Sequence, residues 1–176
     1  MSVIFGPFVD EIVSMMMESD IHSCGASISY GDVIGAGRRW GIFLDMGHVI
    51  WYDEERKCLS IVSLSAFSGD CASLSVLEFP KSFDEKGKTT VEKRDGTVYI
   101  VSFEEIFPEE ISPSQYLCYS KGDTGRRAQS PLALNRQWPN SGAFALWCKA
   151  GISEKRAPEI LRILEKKFPS GVQKRK

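Results

Sequence analysis

The chain has 176 residues, 43% of them apolar and 26% charged, with a net charge of −1. That length suits one domain with a single core, and that composition excludes wholesale disorder. No apolar run is long enough to span a bilayer and the N-terminus has no secretory pattern, so a cytoplasmic protein is expected.

Residues 7–19 (PFVDEIVSMMMES) predict a first helix: Pro7 suits a first helical position, Asp10 and Glu11 complement the N-terminus, and Val9, Ile12, Val13, Met16 and Met17 form one apolar stripe. A strand-rich region begins near Ala26. RRWGIFLDMGHVIWYD predicts strands at 38–44 and 48–53 joined through DMG as a hairpin, and the alternation in CLSIVSLSAF predicts a third strand carrying Val62, Leu64 and Ala66 on one face. In TTVEKRDGTVYIVSF, Asp95-Gly96 suits a two-residue turn. That register pairs Glu92 with Tyr99 and Val91 with Ile100, placing Val91, Val98 and Ile100 on one face and Tyr99, Val101 and Phe103 on the other. Apolar groups on both faces imply a hairpin that is covered twice or offers one face to a partner.

Residues 108–142 are rich in Pro, Gly, Ser, Asn and Gln and read as a long basic connection, followed by a buried segment AFALWCKAG whose state, strand or helix, stays open. SEKRAPEILRILEKKF predicts a final helix at 153–168 with Ser153 as its N-cap, Pro158 either starting a second helix at Ala157 or kinking the first turn. The expectation is an α+β domain over residues 1–170, a mostly antiparallel sheet with an N-terminal and a C-terminal helix packed on it, and a frayed basic tail at 171–176.

No catalytic signature emerges. A G-x-G-x-x-G pattern counted from Gly35 fails at Trp40, and KGDTGRR lacks phosphate-loop spacing. His22 and His48 are the only imidazoles, and Cys24, Cys58, Cys71, Cys118 and Cys148 lack the close pairs of a zinc site. The reading is therefore a protein that is not an enzyme, with no metal and no cofactor.

Charge is the most unusual global feature. Residues 1–110 hold 9 Lys/Arg and 19 Asp/Glu, a balance of −10, whereas residues 111–176 hold 13 and 4, a balance of +9. The acidic stretch FEEIFPEE at 103–110 combines carboxylates that steer a basic partner with apolar groups of the kind that anchor interfaces. Glu104, Glu105, Phe107, Glu109 and Glu110 are the first candidates for partner binding, and Asp53, Glu54 and Glu55 in YDEE extend the same acidic set. The alternative is an RNA- or DNA-binding module, or a metal-independent nuclease, built on Arg126, Arg127, Arg136 and the terminal Lys174-Arg175-Lys176, with Tyr116, Tyr119, Trp138 and Trp147 as stacking partners.

In its general character, and through FEEIFPEE and YDEE, the chain resembles the immunity proteins that bacteria pair with secreted toxins, including those of contact-dependent growth inhibition. The resemblance implies a cytoplasmic inhibitor that covers the basic active site of a cognate toxin nuclease. The basic C-terminal third departs from a uniformly acidic pattern.

Overall fold

The computed structural model describes residues 28–71, 73–92, 95–168 and 171–174. The expected helix at 7–19 and His22 lie outside the described residues. The fold is α+β. Strands β1 (Val33–Ala36), β2 (Arg39–Phe43), β3 (His48–Asp53), β4 (Cys58–Ser63), β5 (Ser73–Val76) and β8 (Gly171–Lys174) form one antiparallel sheet in the order β4-β3-β2-β1-β5-β8. Strands β6 (Lys88–Glu92) and β7 (Val98–Ser102) form a separate two-stranded ribbon. The helices are α1 (Leu64–Ser68), α2 (Lys121–Ala128), α3 (Pro131–Leu134), α4 (Ser141–Ala150) and α5 (Ala157–Lys167), and no helix among the described residues is long and apolar enough to cross a membrane.

The period of two along each strand divides the large sheet into two apolar faces. Trp40, Ile42, Ile50 and Tyr52 join the core built with α4 and α5, while Phe43 and Val49 pack with Leu64 and Phe67 of α1 on the opposite side. Burial on both faces explains why β2 and β3 carry few polar residues. The β1–β2 turn needs only two residues, because Ala36 pairs with Arg39 and Gly37 adopts a φ of +63° that an L side chain resists.

Helix α4 lies at the centre, every residue but Lys149 being buried. Asn140 caps it by accepting from Ala143 N–H at 2.7 Å, and Gly151 ends it in the left-handed conformation. Arg127 donates to two of its C-terminal carbonyls, at 2.7 Å on Trp147 O and 3.2 Å on Cys148 O, while the Lys149 and Ala150 carbonyls accept from the N–H groups of Tyr119 and Leu117. The Arg127 guanidinium is sandwiched between the rings of Tyr119 and Trp147. Helix α5 lays Ile160, Leu161 and Leu164 into the same core.

Several elements differ from expectation for identifiable reasons. The third strand stops at Ser63, whose hydroxyl accepts from Ala66 N–H and starts α1, so Leu64 and Ala66 are helical. The presumed connection at 121–134 is largely helical, nucleated by Ser120 and Ser130 as N-caps. Helix α5 begins at Ala157, the start that Pro158 offers as one of two readings, and not at Ser153, because proline suits a first turn and not a helix interior. Residues 171–174, expected within a frayed tail, form β8 and pair with the edge that β5 would otherwise leave open. The β6–β7 register is shifted by one, with Glu92 opposite Val98 and Val91 opposite Tyr99. A one-residue shift exchanges faces, so Val91 joins Val101 in the core while Val98 and Ile100 turn outward.

Candidate functional site

The ribbon and the acidic segment are one continuous structure, because β7 runs directly into residues 103–110. Ser102 and Glu105 form a capping box in which the Glu105 carboxylate accepts from Ser102 N–H at 2.5 Å, closing a short 3-10 turn at Phe103–Glu105. The apolar members of the segment face inward. Phe107 is 3% exposed and stacks on Phe103 with ring centroids 4.4 Å apart, and both rings meet Phe83 and Tyr116 edge-on. Ile106 is buried beside them. Phe107 is therefore part of the core and presents no ring to a partner, because its burial in this aromatic cluster satisfies the hydrophobic drive internally.

The carboxylates divide into two kinds. Glu105 lies 3.4 Å from the Lys167 ammonium, and Glu110 lies 3.1 Å from the Arg156 guanidinium, which also holds Glu154. Donation from Ser102 N–H, reinforced by Lys167, holds the Glu105 carboxyl below the usual carboxylate range. The backbone N–H of Glu110 and then Arg156 do the same for Glu110. Glu104 and Glu109 are exposed and have no hydrogen-bond or ion-pair partner among the described residues. Half of the acidic segment thus pairs with cations of the last third of the chain, and half remains open to solvent.

The outward positions of β7 precede these two open carboxylates in the chain, with Ser102, hydrogen-bonded by the Lys88 ammonium at 3.3 Å, as the last of them. Val98 and Ile100 are 57% and 65% exposed, with Glu92 and Thr90 as their cross-strand neighbours. Tyr99, on the other face, donates through its hydroxyl to the Lys167 carbonyl, tying the ribbon to the end of α5. The exposed apolar pair is the feature that the sequence places on the same face as Val91, whereas in the structure it lies on the opposite one. Its signal was present in the two-faced pattern of VYIV, but the register needed to read it was not.

Asp53, Glu54 and Glu55 occupy the β3–β4 turn. Asp53 accepts from the N–H groups of Glu55 and Arg56 and pairs with the Arg56 side chain, so its charge organises the turn, whereas Glu54 and Glu55 are exposed. No hydrogen bond or ion pair joins this turn to residues 103–110 among the described residues.

The basic third places its groups differently from a stacking groove. Tyr116, Trp138 and Trp147 are buried, Arg126 pairs with Asp123, Arg127 caps α4, and Arg136 lies over Trp138. A cavity of about 420 Å³ is lined by Asp32, Lys81, Cys118, Lys121 and Lys149 among others. Two of its three lysines are engaged, Lys121 with Asp32 at 3.0 Å and Lys149 with the Tyr119 carbonyl at 2.7 Å, while Lys81 is exposed and has no hydrogen-bond or ion-pair partner among the described residues. His48 opens β3 with its Nδ1 3.4 Å from the Asp45 carbonyl. No cluster of three or more His, Cys, Asp or Glu able to hold a metal ion occurs among the described residues. No known protein family, curated protein or solved structure matches this chain.

Proposed function

We propose that this chain is a protein inhibitor that docks on a cationic partner through the ribbon's outer face and the carboxylates that follow it. The partner fitting this chemistry is a toxin nuclease whose basic active site is covered, with the chain acting as a cytoplasmic immunity protein. The observation that carries the reading is that the strand bearing the exposed Val98 and Ile100 runs directly into the segment bearing the unpaired Glu104 and Glu109. Apolar centre and charged rim is the usual division of labour in a protein interface, the first supplying affinity and the second encounter rate and specificity. Glu105 and Glu110 support the fold in this reading, and Phe107 supports it from the core. Three of the four rings on which the nucleic-acid alternative draws, Tyr116, Trp138 and Trp147, are buried, and the fourth, half-buried Tyr119, has the Arg127 guanidinium over its ring, which argues against a stacking platform.

The test mixes the purified chain with a basic nuclease encoded in its own genomic neighbourhood and measures residual nuclease activity at low and high salt. Inhibition is expected to weaken as salt rises. The double variant Glu104→Lys, Glu109→Lys is expected to weaken it at least about tenfold while melting like the parent protein. Undiminished inhibition by the double variant, or no capture of a basic nuclease at low salt, overturns the proposal.

A further inference from the structure

We infer that the free edge of β6 is a strand-addition site, at which the partner's chain is held as an added antiparallel strand. This rests on the reading of the chain as a protein-binding module and specifies how the partner is gripped.

The argument begins with main-chain hydrogen bonds. In an antiparallel pair, residues alternate between those bonding to the neighbour and those whose N–H and C=O point away. The Phe103 N–H donates to the Gly87 carbonyl at 2.6 Å, so in the β6–β7 register Thr89 with Val101 and Val91 with Tyr99 are the bonded pairs. Lys88, Thr90 and Glu92 therefore point their main-chain groups away from β7. Asp84 confirms this parity and blocks the first position, because its N–H donates to the Lys88 carbonyl and its carboxylate accepts from Lys88 N–H, at 2.8 and 2.9 Å. The outward groups of Thr90 and Glu92 have no partner among the described residues.

These groups border a cavity of about 460 Å³ that is also lined by Glu78, Phe79, Pro80, Lys81 and Phe168. Strands pair about 4.8 Å apart, and a residue of an added strand faces each residue of the edge. An extended segment in this cavity makes four main-chain hydrogen bonds, two with Thr90 and two with Glu92. Its side chains follow from the pleat. Running antiparallel, the segment first meets Glu92, whose exposed carboxylate has no partner among the described residues and selects a lysine or arginine. The next residue faces Val91 and turns inward toward Phe79 and Phe168, which selects an aliphatic side chain. The third faces Thr90 on the outer side, beside Ile100, where a threonine pairs well. The occupant is thus an extended basic–aliphatic–threonine segment of a protein, recognised mainly through its backbone.

The probe is a blocked heptapeptide with Lys-Val-Thr at its centre, and the readout is amide hydrogen exchange of the full chain followed by NMR. In the free protein the Thr90 and Glu92 amides exchange rapidly while those of Thr89 and Val91 are protected. Saturating peptide is expected to slow exchange at Thr90 and Glu92 at least about tenfold, the scale of a formed main-chain bond. Thr90→Pro removes an outward N–H without touching a β6–β7 bond, and is expected to weaken binding about tenfold, whereas Thr90→Val, which keeps the N–H, leaves it within about threefold. Retained protection at Thr89 and Val91 shows that the proline variant keeps the ribbon. Absence of binding, binding that leaves Thr90 and Glu92 unprotected, or protection that grows with protein concentration alone, as pairing between two copies would give, overturns the inference. A nuclease bound through Glu104 and Glu109 but indifferent to Thr90→Pro overturns it too and leaves the inhibitor reading standing.

Discussion

Phe107→Ala separates a core role for the acidic segment from an interface role. The ring is 3% exposed, stacks on Phe103 at 4.4 Å, and meets Tyr116 at 5.6 Å and Phe83 at 6.5 Å. Truncating a buried phenylalanine costs about 3–5 kcal/mol. The ring pairs each contribute about 0.5–1.5 kcal/mol beyond the area they bury, which favours the upper part of that range, about 4 kcal/mol. Domains of this kind are stable by about 5–15 kcal/mol, so the change removes a large share of the total. In urea, with a slope of about 2 kcal/mol per molar, the midpoint is expected to fall by about 2 M with little change in slope. A loss below about 1 kcal/mol, with partner binding reduced, would place the ring at the surface as an anchor and refute the assignment to the core.

Gly125 provides a packing test. A Cβ there would sit 2.2 Å from the Tyr30 ring, so Gly125→Ala is expected to destabilise by about 1–3 kcal/mol in thermal or urea melts although alanine favours the helix; a gain in stability would contradict the close approach. Glu105 provides a pH test. Its folded carboxyl titrates below the usual value, so its contribution is present above the ordinary carboxylate range and disappears as pH falls through the lowered folded value. Glu105→Gln is therefore expected to melt at a lower temperature than the parent at pH 7, with the gap narrowing as pH falls through the carboxylate range; a gap that stays constant on acidification would show that the carboxylate charge contributes nothing.

Elements whose signal is local could be read from the sequence, and those settled by distant partners could not. Strands β2 and β3 fall within the expected 38–44 and 48–53 because alternation and an intervening DMG turn are local properties. Helix α4 was undecidable because it is apolar on every side, which erases the periodicity that separates helix from strand. The ribbon's register turned on a single residue beside the Asp95-Gly96 turn, and that residue changed which side chains face solvent. In the acidic segment, Phe103, Ile106 and Phe107 have the i, i+3, i+4 spacing of one buried helical face, a signal that points to core packing without any structure. The division among the carboxylates was not legible, since Arg156 lies 46 residues from Glu110 and Lys167 lies 62 from Glu105. Recognition of Thr90 and Glu92 likewise depended on knowing which way their main-chain groups point.

The alternation of engaged and open carboxylates along 104–110 has an evolutionary consequence. Positions 105 and 110 are held by the architecture, so replacing them disturbs the chain's own assembly. Positions 104 and 109 are exposed and carry no such obligation, and substitutions there alter the external charge pattern at little structural cost. In the proposed inhibitor role, recognition can therefore be rewritten two letters at a time at 104 and 109, while the adjoining glutamates keep the scaffold unchanged.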